Sequence, residues 1–127
     1  MVDEHGRTTV ATRVAEARAE RDAGVAKVEN GADPRVIVAI DAAIQKAIDS
    51  GRRFSANDIR DKFPVEHENL AGARVLTFSK RRVDGHPLMK AVGKTPSSLK
   101  STHGHEITVW LGWDAHQALR HSRAAAR

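Results

Sequence analysis

Between Asp33 and Gly51 the apolar residues Val36, Ile37, Ile40, Ala43, Ile44, Ala47 and Ile48 recur at helical intervals, with Asp41, Gln45, Lys46 and Asp49 outside the stripe. That period predicts an amphipathic helix with one buried face. Asp33-Pro34 is a start signal: the Asp carboxylate accepts from first-turn amides, and Pro occupies a position whose amide has no helical partner. Gly51 ends the element after Ser50. A second helix is predicted from Ser55, an N-cap with Asp58 at the third helical position and Phe54 poised to pack on Ile59, ending at Phe63-Pro64.

A third helix is predicted to start between Glu66 and Glu68 and to reach Arg81 or Arg82. Its apolar residues Leu70, Ala71, Ala73, Val75, Leu76 and Phe78 spread around the helical wheel and do not define a buried face. Arg74 and Arg81, seven apart, are expected on one face with Thr77 beside them. Val83-Asp84-Gly85-His86-Pro87 has the composition of a turn, and the segments 88–93 and 106–111 read as strands. The polar, basic stretch from Ser97 to Gly104 between them is too long for a tight hairpin. Upstream, residues 9–29 carry a thin apolar stripe through Val10, Val14, Ala17, Val25 and Val28, interrupted at Arg21 and Gly24. A helix with so narrow a face is expected to need docking on the domain or on another copy.

Three helices followed by a hairpin with a long polar loop predict an α+β winged helix-turn-helix over residues 33–112. An N-terminal helical arm (1–32) precedes it, and a short basic extension (113–127) with a helical turn or two follows. The 127 residues contain no cysteine, which excludes disulfides and thiolate metal sites. Aromatic residues make up 4% of the chain and tyrosine is absent, so the core is expected to be mainly Ile, Val, Leu and Ala. No apolar leader or membrane-length apolar run occurs, which leads to the expectation of a cytoplasmic protein with no membrane partner.

The net charge of +5 is concentrated in residues 34–112, which hold 13 basic and 8 acidic side chains. A basic domain of this kind suits a polyanionic partner. Gly93-Lys94-Thr95 resembles the end of a phosphate-binding loop, but the required earlier glycine is Leu88, which removes the case for ATP. His103-Gly104-His105 offers two imidazoles without a third ligand, so no metal or other cofactor is expected. Glu66 and Glu68 beside His67 have a structural role at a helix start, and no catalytic constellation is apparent. Trp110 is assigned to the core, whereas Trp113 is open between packing and base stacking.

With these pieces in place the chain resembles small winged-helix proteins encoded by bacteriophages and prophages, often beside DNA replication or recombination genes. The resemblance rests on Arg21-Asp22-Ala23-Gly24, Ala32-Asp33-Pro34, Phe54-Ser55-Ala56-Asn57-Asp58-Ile59-Arg60, His67-Glu68-Asn69 with Gly72-Ala73, Val92-Gly93-Lys94-Thr95, and Ser101-Thr102-His103-Gly104-His105 leading to Val109-Trp110. The chain departs from the family's pattern at Ala71, where an aromatic is usual, and in the insertion 82–87. The resemblance implies the fold and a phage setting in a bacterial host cytoplasm.

In a helix-turn-helix the second motif helix, here the third predicted helix, enters the major groove while flanking loops grip the backbone. The expected duplex-DNA contacts are therefore Asn69, Arg74, Thr77, Lys80, Arg81 and Arg82 on or after that helix, with Lys94, Lys100 and His103 around the wing. Asn69 is the candidate adenine reader. The competing expectation is a winged-helix module that docks on a host or phage protein. A homodimer through the N-terminal helix is a further possible assembly.

Overall fold

The computed structural model describes residues 23–99 and 105–125, which form an α+β fold of five helices and two small antiparallel sheets. The helices are α1 (residues 23–30), α2 (Pro34–Asp49), α3 (Ala56–Arg60), α4 (Glu68–Ser79) and α5 (Trp113–Ala125). The strands are β1 (Arg82–Val83), β2 (His86–Pro87), β3 (Met89–Pro96) and β4 (Glu106–Gly112), paired β1 with β2 and β3 with β4. No described helix is long and apolar enough to cross a membrane.

The cap at the head of α2 forms as the sequence predicts, with Asp33 Oδ1 accepting the Arg35 amide at 2.9 Å. Ile40 and Ile44 are fully buried on the inner face, and Val38 on the opposite face is 67% exposed. The chain then runs extended through Phe54, which exchanges both backbone hydrogen bonds with Trp110 (3.0 and 2.7 Å) and so adds one rung to β4. Immediately after it, Ser55 and Asp58 close a reciprocal capping box: the Ser55 hydroxyl accepts the Asn57 amide and Asp58 accepts the Ser55 amide. Phe54 and Ile59 both sit in the main core cluster. Helix α3 stops at Arg60, short of the predicted end, because Lys62 and Phe63 bond three residues back and Pro64 disfavours helical backbone at Phe63.

Helix α4 explains why no buried face is apparent in its sequence: Leu70, Ala71, Ala73, Arg74, Val75 and Phe78 are all buried, and within the helix only Asn69 is exposed. It packs on α2 and α3. A helix enclosed nearly all round has no amphipathic signature to detect. It ends at Ser79, two or three residues earlier than predicted, in bonds from Lys80 to Thr77 and from Arg81 to Phe78. The segment 83–87, expected as a turn, is instead most of a β1–β2 hairpin whose tip is Asp84-Gly85, with φ of 51° and 82°. Positive φ at both central residues is the type I′ geometry that matches the twist of two strands, and Asp-Gly is among the pairs that tolerate it.

Strand β3 runs to Pro96, three residues beyond the prediction, with a bulge between Ala91 and Gly93. Met89 and Leu111 point inward and are each 2% exposed. The core is less purely aliphatic than composition suggests, since Phe54, Phe78 and Met89 are buried in it and Phe63 and Trp110 pack against it. The C-terminal segment is helical through residue 125, well beyond the turn or two expected. Its first turn is anchored by the Trp113 amide on the Leu88 carbonyl (2.9 Å) and by Trp113 stacked on His86 at 4.9 Å and 5°. That stack settles Trp113 as a packing residue in this structure.

Gly112, between β4 and α5, lies tight against the last turn of α2. A Cβ there would press into the Ile48 carbonyl group and lie 3.2 Å from Ile48 Cγ2. Three substitutions test this packing by urea or thermal unfolding. Ser55→Ala is expected to cost about 1 kcal/mol through the lost cap. Phe54→Ala is expected to cost about 3 kcal/mol, and Gly112→Ala about 1–3 kcal/mol through overpacking. Wild-type stability in the Phe54 variant would contradict its place in the core.

Candidate nucleic-acid interface

The predicted contacts divide sharply once α4 is seen in place. Arg74 is only 8% exposed, with its guanidinium turned inward. Nε and Nη2 donate to the two carboxylate oxygens of Asp41 on α2 at 2.7 and 2.6 Å, and Nη1 donates to Glu29 on α1. Thr77 Oγ1 donates to the other Glu29 oxygen at 2.8 Å. The hydrogen bonds to Asp41 hold the Arg74 pKa above its ordinary value; desolvation opposes them and Glu29 adds to them. Arg74 is thus a permanently charged strut joining three helices. Neither it nor Thr77 lies on an open face.

Arg81 does not share a helical face with Arg74, because α4 ends before it. Its guanidinium instead covers the Phe78 ring, 4.3 Å from the centroid, and the residue stays exposed. Lys80 and Arg82 flank it and are also exposed. Arg82 opens the β1–β2 hairpin, opposite Pro87. The structure therefore gathers Lys80, Arg81 and Arg82 at the carboxyl end of α4 as one exposed basic run.

Asn69 and Lys94 lie elsewhere, lining a groove of about 570 Å³ between α1, α4 and the β3–β4 hairpin. Lys94 Nζ donates to Thr108 Oγ1 across the hairpin at 3.1 Å. The less buried stripe of α4, Asn69-Gly72-Leu76, faces this groove and carries no charge. Lys100 and His103 lie outside the described residues. Among the described residues, no group of three or more His, Asp or Glu side chains is placed to hold a metal ion.

Three participants, Glu29, Asp41 and Arg60, are missing from the expected set. Asp41 lies outside the α2 stripe in sequence, yet it borders Ile37, Ile44 and Ile48 on the helical wheel, and an acid in that position signals a partner on the packed neighbour. Arg60, on a helix of only five residues, also lines the groove; it closes the motif 54–60 that the resemblance rests on, but neither periodicity nor spacing marks it as a site residue. No protein-family model matches the chain, and searches of curated proteins and of solved structures likewise find no match.

The buried ion pairs make an asymmetric prediction about Arg74. Truncating one partner of a buried pair leaves the others charged and unpaired, which typically costs about 3–5 kcal/mol. Arg74→Ala should approach that loss. Arg74→Lys should recover only part of it, because an ammonium cannot reproduce the two-pronged contact with Asp41. Unfolding curves of the two variants check this, and an Arg74→Ala variant of wild-type stability would contradict the strut.

Proposed function

We propose that this chain is a non-enzymatic winged-helix protein that binds duplex DNA mainly through the phosphate backbone. The observation that carries the reading is the exposed run Lys80-Arg81-Arg82 where α4 gives way to the β1–β2 hairpin. The order of elements supports the winged-helix assignment: α2, a single rung at Phe54, α3, α4, then the β3–β4 hairpin with its long basic connection. The net charge of +5 supports a polyanion as partner.

Backbone gripping is favoured over base reading because Arg74 and Thr77 are engaged with Glu29 and Asp41. Asn69 is then the remaining candidate on α4 for contact with a base edge. The resemblance to phage-encoded proteins supports a role in replication, recombination or transcription control inside a bacterial host.

Anisotropy titrations on random duplex DNA across a salt series test the proposal. Replacing Lys80, Arg81 or Arg82 singly with Ala should weaken binding to all sequences alike and reduce the salt slope by about 0.9 per lost phosphate contact. Asn69→Ala should leave the slope unchanged and, on a preferred site, remove discrimination at one base pair worth about 1–3 kcal/mol. No binding by the wild-type protein at about 50 mM salt, where the electrostatic contribution is strong, would overturn the reading.

A further inference from the structure

The groove beside α4 has a character that DNA binding does not use. Val25 and Val28 of α1, Leu76 of α4, and Ile107 and Trp110 of β4 give it an apolar lining. Among the described residues that line it, two cations, Arg60 and Lys94, stand against a single acid, Glu106. Its volume of about 570 Å³ falls within the usual range of binding pockets, roughly 300–1,000 Å³.

Arg60 is the informative member. Its Nε donates to the Glu68 carbonyl at 3.1 Å and its Nη1 to Asn57 Oδ1 at 3.2 Å, so both anchors are uncharged oxygens. Nη2 lies over Gly72, where a Cβ would come within 2.7 Å of it. The bare glycine leaves the guanidinium room to lie against α4. Burial lowers the Arg60 pKa, with Glu68 pulling the other way, and no carboxylate forms an ion pair with it among the described residues. A fixed, partly desolvated guanidinium with no carboxylate within ion-pair distance among the described residues, set in an apolar groove, is complementary to a carboxylate carried on an apolar segment.

We propose that this groove docks an acidic amphipathic segment of a protein partner. Apolar side chains of the segment rest on Leu76, Ile107 and Trp110, and its carboxylates pair with Arg60 and Lys94. A phosphate backbone matches the cations but has no apolar side chains for the lining. The site is therefore separate from the phosphate contacts proposed at Lys80, Arg81 and Arg82, and shares only Asn69 with the DNA reading.

The test uses the full chain and a library of random dodecapeptides, selected for binding and then measured individually by anisotropy. Selected peptides are expected to combine Asp or Glu with Leu, Ile or Phe, and to lose about tenfold or more in affinity when their acids become amides. Leu76→Asp places a charge on the half-buried groove wall and should abolish peptide binding while leaving the salt slope for duplex DNA unchanged. Gly72→Ala keeps every charge but displaces the guanidinium end, and should weaken the acidic peptides selectively. Selected peptides without acid enrichment, or affinities indifferent to both variants, would overturn the proposal. So would a wild-type dimer in sedimentation that Leu76→Asp converts to monomer, since a second copy would then be the occupant, or random duplex DNA that competes for the groove.

Discussion

Arg74 is where three helices are tied together, and the rest of the arrangement follows from it. A guanidinium this enclosed is tolerable only when its donors are met, and here Asp41 from α2 and Glu29 from α1 meet them. Asp41 binds through both oxygens, which fixes the rotation of α4 about its own axis as well as its distance from α2. With Arg74 turned inward, the Asn69-Gly72-Leu76 stripe must turn outward. Glu29 makes α1 a participant in the same unit, because without it one donor of Arg74 and the Thr77 hydroxyl lose their partner. The apolar contacts of Val28 and Ala32 with the core act in the same direction. The sequence boundary between arm and domain thus runs through a region that the ion pairs hold together.

Local rules carried most of the fold. The caps at Asp33 and Ser55 and the turn at Asp84-Gly85 depend on a few adjacent residues and are legible from residue order, although the strands β1 and β2 flanking that turn are not; the strands near 88–93 and 106–111 are legible from their alternation. Helix ends shifted by two or three residues, since tight three-residue bonds close α3 and α4 early. The extent of α5 was less legible because the segment 113–127 has no strong apolar period. Its anchor is tertiary: Trp113 stacks on His86, with His116 nearby, and His86 belongs to the inserted hairpin. The insertion and the C-terminal helix support each other, a relationship invisible in either segment alone.

The candidate site was legible in composition and poorly legible in orientation. The basic run at 80–82 and Lys94 are exposed as the sequence suggests, whereas Arg74 and Thr77 are not. An arginine on a helix whose apolar residues spread all round has two physical options, an open face or a buried ion pair, and helical spacing does not separate them. The deciding clue is on another element. Asp41 beside the apolar stripe of α2 calls for a cation on whatever packs there, and α4 supplies it.

Net charge is therefore a poor guide to which cations meet a partner. Arg74 is neutralised by two acids inside the fold, Arg60 is held by neutral oxygens in a groove, and the run Lys80-Arg81-Arg82 faces solvent. These three environments imply different responses to salt. A phosphate contact made by exposed cations weakens steeply as salt rises, because its free energy comes largely from released counterions. A partly desolvated guanidinium is screened less, and its partner is retained through apolar contacts that salt does not weaken. The two proposed surfaces are thus separable by ionic strength alone, even though one helix, α4, borders both.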